Sequence, residues 1–199
     1  MVKGRIVASA ASLALALGAV AGIVGVAGAA PHTGAQPVRV ERAAARVAKT
    51  YKLTLVINVS GPQPKYVANG GSSADIRLPA NTLVSVTLRS YDNGVSVPTA
   101  IYGKVSGTVG GTILLAGKAV RAVPLKTIAH TFTIPALGLN VPVPAVKGSA
   151  KYVQETFEFK TAKAGTYAWQ FYAPCGTGAS GWGGPMVTPG QMMGQVTVG

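Results

Sequence analysis

An all-β sandwich is the fold class this sequence predicts, and three observations predict it. Short runs rich in β-branched and aromatic residues follow one another from residue 51 to the C-terminus, Gly, Pro and Asn punctuate them, and no long amphipathic helical pattern interrupts them. Seven such runs, several alternating apolar and polar residues, describe a single Greek-key sandwich of seven or eight strands around one core.

The chain begins with Lys3 and Arg5 ahead of an uncharged, mostly apolar stretch from Ile6 to Ala30 that ends in Ala27-Gly28-Ala29, a small-x-small cleavage pattern. Residues 1–30 therefore read as a secretory signal. The stretch is also long enough, against the ~20 residues needed to span a bilayer, to serve as an N-terminal anchor helix giving membrane association through residues 6–30. Its richness in Ala and Gly rather than Leu and Phe favours cleavage. Either form places the folded part outside the cytoplasm, secreted or held at the outer face of a membrane. Residues 31–50, "PHTGAQPVRVERAAARVAKT", pass from a Pro/Gly-rich segment to an Ala/Arg stretch fit for two or three helical turns, and read as a linker.

The domain follows over 51–199. Its predicted strands lie in "YKLTLVINVS" (51–60), "NTLVSVTLRSYD" (81–92), "GTILLAGKAVRAV" (111–123), "TIAHTFTI" (127–134), "KYVQETFEFK" (151–160), "GTYAWQFYA" (165–173) and "GQVTVG" (194–199). In the second run Val84, Val86 and Leu88 share the core face. In the fifth, Phe157 and Phe159 point in while Thr156, Glu158 and Lys160 point out, and in the sixth Tyr167, Trp169 and Phe171 line one side.

Charge and cysteine usage narrow the function. The chain carries 18 Lys and Arg against 5 Asp and Glu, a net charge of +13; without Lys3 and Arg5, sixteen against five leaves +11. Such a surface favours partner proteins with an acidic face, or anionic headgroups. The basic residues are scattered singly through the strand runs, with no basic helix, so no nucleic-acid partner is expected. Hydrolytic catalysis is also disfavoured: the histidines are His32 and His130, the five acids are dispersed, and neither a nucleophile elbow nor a phosphate-cradling loop occurs, so the protein is not expected to be an enzyme. A single cysteine, Cys175, cannot form an internal disulfide and stands as a ligand, a reactive thiol or a buried apolar group.

Soft metal ligands cluster near that cysteine. Met186, Met192 and Met193 follow Cys175, and His130 stands in an earlier strand run. Thiolate, thioether and imidazole are donors that copper prefers. Each residue also suits plain packing: a histidine in "IAHTFTI" as a core residue, the methionines as gap fillers, the cysteine as an inert thiol.

"AHTFTIPALGLNVPVP" (129–144) and "AGTYAWQFYAPCG", followed by "PGQMMGQVTV" (189–198), resemble the cupredoxins, most of all the copper domain of cytochrome oxidase subunit II and its exported relatives. The resemblance implies a copper cofactor with His130 as the first ligand, Cys175 as the thiolate and Met192, or its neighbour Met193, in the axial position. It also implies electron transfer or copper carriage with a redox or copper-handling partner. One departure stands out. The family places a second His between the Cys and the Met, and residues 176–191 contain none. His32 is badly placed to replace it, and a dinuclear centre would need a second Cys. The expected site is therefore His130, Cys175 and a thioether from Met186 or Met192, a set that favours Cu(I). The alternative is a metal-free structural or docking protein of the cell envelope on the same scaffold; a third outcome has Cys175 simply packed in the sandwich and capped through Trp182.

Overall fold

The computed structural model describes residues 50–58, 65–69, 74–96 and 98–199. The signal or anchor expected at 1–30, His32 and nearly all of the expected linker lie outside them, and no helix among the described residues is long and apolar enough to cross a membrane.

Eleven strands appear among the described residues: β1 (Tyr51–Asn58), β2 (Lys65–Ala68), β3 (Ile76–Leu78), β4 (Leu83–Ser90), β5 (Ile113–Leu115), β6 (Lys118–Val120), β7 (Ile128–Ile134), β8 (Leu139–Pro144), β9 (Val153–Lys160), β10 (Gly165–Gln170) and β11 (Met193–Val198). They form a six-stranded sheet in the order β2-β1-β4-β9-β5-β6 and a five-stranded sheet in the order β3-β11-β10-β7-β8. Both sheets are mixed, because β1 runs parallel to β4 and β3 parallel to β11.

The count exceeds the predicted seven or eight for local reasons. The run 111–123 is a hairpin of two three-residue strands, β5 and β6, turned by Ala116 and Gly117, both in the left-handed region (φ 49° and 77°) as a two-residue hairpin turn requires. β8 carries Pro142 and Pro144, which cannot donate to a ladder; it is accommodated because it lies at the end of its sheet. β2 and β3, of four and three residues, are too short to show an alternation.

The long strands obey the alternation. Val84, Val86 and Leu88 on β4, and Leu53, Leu55 and Ile57 on β1, are buried, and so are Phe157 and Phe159 on β9. The facing sheet contributes Ile128, Phe132, Ile134, Val141, Val143, Trp169, Val196 and Val198 to the same core. Trp169 is fully buried and its indole N–H donates to the Ala74 carbonyl (2.9 Å), which satisfies its one polar atom. Phe171 is buried beside it, whereas Tyr167 is half-buried, its hydroxyl donating to the Lys163 carbonyl (2.8 Å).

β7 sits between β10 and β8 in its sheet, and all seven of its residues are buried. Its second face is covered partly by polar contacts. Thr133 donates to Asn140 Oδ1 (2.8 Å), and the Asn140 amide donates to the Tyr102 and Lys104 carbonyls (3.2 and 2.6 Å). This holds the 100–106 segment along β8 and fixes the strand that carries His130.

Candidate metal centre

His130 owes its aim to an irregularity in β7. Ile128 pairs with Pro144 while His130 pairs with Val143, so the register shifts between them and Ala129 is an inserted residue. Such bulges re-aim side chains next to functional sites. The imidazole is fully buried, with Phe171 tilted against it (ring centroids 4.7 Å apart) and Tyr66 edge-on (6.4 Å).

Asp92 reaches the imidazole from the segment after β4. That segment is fastened at two points: the Val146 N–H donates to the Asp92 carbonyl (2.8 Å), and the Ser96 N–H to the Ile128 carbonyl (2.8 Å). Within the carboxylate, Oδ1 accepts the Gly94 N–H (2.7 Å) and Oδ2 lies 2.8 Å from His130 Nε2. The Asp92–His130 contact has the distance of an ion pair but lacks the alignment of a linear hydrogen bond, and Nδ1 has no hydrogen-bond partner among the described residues. Burial would raise the Asp92 carboxyl, but the contacts with His130 and the Gly94 N–H overcome it and hold the group below its ordinary value.

Cys175 enters the same cleft from the segment after β10. Asp92, Gly94, Val95, Ser96, His130, Pro174, Cys175 and Gly176 line a space of about 410 Å³. The residue is open to solvent, yet its thiol is largely withdrawn from it, with Sγ 3.8 Å from Met186 Sδ. Burial pushes the thiol up to about 11; a hydrogen bond with Ser96 opposes this, and the Asp92 charge adds to it. Cys175 is a neutral thiol near pH 7 in this state.

The glycine-rich segment beyond the cysteine is tied to itself. Gly176 N–H donates to the Gly181 carbonyl (2.7 Å), and Thr177 and Gly183 exchange both backbone bonds (3.1 and 2.9 Å). The chains approach so closely that a Cβ on Gly176 would overlap the Gly183 carbonyl, which explains glycine there. This fold-back returns the chain to a short 3-10 turn, Gly184–Met186, and presents Met186, fully buried, to the thiol.

The other expected ligands fall elsewhere. Met192 is fully buried in the core, its carbonyl accepting the Phe171 N–H (3.0 Å). Met193 is half-buried at the start of β11. The sulfur in contact with the thiol is Met186. Trp182, expected over the cysteine, is instead 36% exposed and packs edge-on against Tyr172 (6.3 Å), which in turn stacks on Tyr102 (4.7 Å, planes 8° apart).

Two acidic residues were not anticipated from the sequence. Asp92 gave one faint signal, its place in "YDNG" directly after a strand. The second, Glu155, is 1% exposed on the core face of β9, and neither of its carboxyl oxygens has a hydrogen-bond partner among the described residues. Burial raises its carboxyl well above the usual range. Its signal was parity, since it shares a face with Phe157 and Phe159.

Among the described residues no three His, Cys, Asp or Glu side chains stand together as a metal site. Once the thioether is included, His130 and Cys175 line the cleft and Met186 Sδ touches the thiol, and imidazole, thiol and thioether are donors that suit copper.

No known family model matches the sequence, and no curated protein matches it. Three of the solved structures it resembles are rusticyanin from Thiobacillus ferrooxidans (17% identity, 76% of this chain and 78% of that one, TM-score 0.40), reduced rusticyanin (16%, 76% and 80%, TM-score 0.39) and auracyanin B (14%, 76% and 90%, TM-score 0.32).

Proposed function

We propose that this protein is an extracytoplasmic, cupredoxin-like copper protein that carries electrons or copper, with His130, Cys175 and Met186 as its ligands. The observation that carries the reading is a cleft lined by a buried imidazole whose Nδ1 has no hydrogen-bond partner among the described residues and by a thiol that lies 3.8 Å from a thioether sulfur. Copper would supply a one-electron couple there, or be the cargo itself. The chain's own residues hold the donors and shield them. β7 fixes the imidazole, the fold-back at 176–183 fixes the thiol–thioether pair, and Phe171 and Tyr66 screen the imidazole from water. The Cys175 proton must leave for a metal to bind, so loading releases a proton. Met186, rather than Met192, is the thioether in this reading.

The exposed surface suits a protein partner. Val95 and Val187 are exposed (50% and 60%), Trp182, Tyr172 and Tyr102 form a ring cluster, and the chain's strong positive charge selects an acidic face.

The test is to add Cu(I) and Cu(II) separately to purified protein and to Cys175→Ser, Met186→Leu and Met192→Leu variants. Stoichiometric retention that is lost in Cys175→Ser and weakened in Met186→Leu, with Met192→Leu unaffected, is expected; no retention by the wild type sinks the reading. One observation favours a metal-free docking protein as the second reading. The cysteine segment is closed by its own backbone hydrogen bonds, which tie it down with groups from the chain alone.

A further inference from the structure

The missing second histidine raises the question of what else governs the cleft, and the group nearest the imidazole is a carboxylate. Asp92 is fastened for the task. Its own carbonyl is held by Val146, its Oδ1 by the Gly94 N–H, and its backbone N–H donates to Ser90 Oγ (3.3 Å), so the side chain has little freedom to leave. Oδ2 is then 2.8 Å from Nε2 of a ring whose other nitrogen has no partner. Metal-bound histidines commonly give their second ring N–H to a carboxylate, which selects the tautomer and raises the basicity of the ligating nitrogen. We infer that Asp92 is the positioning residue of this site: its carboxylate, 2.8 Å from Nε2, favours the tautomer that carries the proton on Nε2 and so leaves Nδ1 as the nitrogen offered to the metal. The inference rests on the copper reading above.

Charge gives Asp92 a second consequence. With the Cys175 thiolate and the Asp92 carboxylate both anionic, Cu(II) is neutralised in full, whereas Cu(I) leaves one negative charge uncompensated. The imidazole, thiolate and thioether alone favour Cu(I); Asp92 pulls the balance back toward Cu(II).

The experiment uses the purified full chain, its Asp92→Asn and Asp92→Ala variants, and two readouts. The first is the imidazole tautomer of His130 in copper-free protein, read by two-bond nitrogen–proton NMR. The second is Cu(I) and Cu(II) affinity by competition, with the thermal midpoint as a folding control. Expected are a single Nε2–H tautomer in the wild type, mixed tautomers in Asp92→Ala, and a loss of Cu(II) affinity of about 10–100-fold that exceeds the loss for Cu(I). Asp92→Asn keeps an acceptor and removes the charge, so it should hold the tautomer yet lose Cu(II) affinity; it decides the matter if Asp92→Ala does not fold. An Nδ1–H tautomer in the wild type overturns the inference, as does Asp92→Ala binding both ions as the wild type does. A wild type that retains no copper but shows the Nε2–H tautomer would remove the copper function and leave the hold of Asp92 on His130 in place.

Discussion

Cys175 and Glu155 are both pushed toward their neutral forms by burial, and each makes a prediction at the scale of one residue. With its thiol raised to about 11, Cys175 has a thiolate fraction near pH 7.5 on the order of a few hundred times below that of an ordinary thiol. Alkylation of the metal-free native protein by iodoacetamide should be at least ~100-fold slower than in denaturant; native and denatured rates within tenfold would contradict the raised thiol. For Glu155 the folded state holds its proton more tightly than the unfolded chain does. Its contribution is therefore complete below the ordinary glutamate range and declines as pH rises through it, by up to about 1.4 kcal/mol per pH unit, until the folded group itself ionises. Denaturant unfolding between pH 4 and 8 should show that decline, and Glu155→Gln should flatten it; equal slopes in the two proteins would refute the assignment. His130 and Cys175 were legible as candidates because their residue types are rare in this chain. Asp92 was not, since its role comes from a loop folding back onto a strand 38 positions later, a contact with no periodic signature.

At the scale of elements, two strands depend on one close approach. Trp169 on β10 pairs with Gly194 on β11, and a Cβ on Gly194 would lie 2.7 Å from the indole nitrogen and 3.0 Å from the Ala74 carbonyl that the indole bonds. Gly194→Ala should cost about 1–3 kcal/mol and alter the buried tryptophan emission, checked by chemical unfolding and fluorescence; a neutral substitution would mean the sheet yields there freely. Alternation made β1, β4 and β9 legible, because one face of each is core. β8 escaped because its prolines argue against a strand, and the bulge at Ala129 escaped because an inserted residue leaves the apolar pattern of "IAHTFTI" looking continuous. The part of the site that sequence could not rank was the choice among methionines. Met186 reaches the thiol through backbone bonds within a glycine-rich segment, and spacing does not encode those.

For the whole molecule, charge is more lopsided than its totals suggest. Of the acidic residues from position 50 onward, Glu155 is buried and neutral, so Asp75, Asp92 and Glu158 are left to offset twelve lysines and arginines. Association with an acidic partner should weaken steeply with ionic strength, since exposed charges are screened within about 10 Å at 0.1 M salt; binding to an acidic protein or resin that is indifferent to salt between about 0.01 and 1 M, a decade to either side of that level, would speak against steering by charge. The sheet margins set a further limit. β2, β3 and β6 have four, three and three residues, and β8 is overlaid by the 100–106 segment through paired backbone bonds between Ser106 and Asn140 (3.0 Å each). A short or covered margin is a poor template for another chain's strand. Polymerisation by strand addition is thereby discouraged at these margins, and among the described residues side chains at the loops are what remains for an incoming protein to meet, an encounter that can dissolve as readily as it forms.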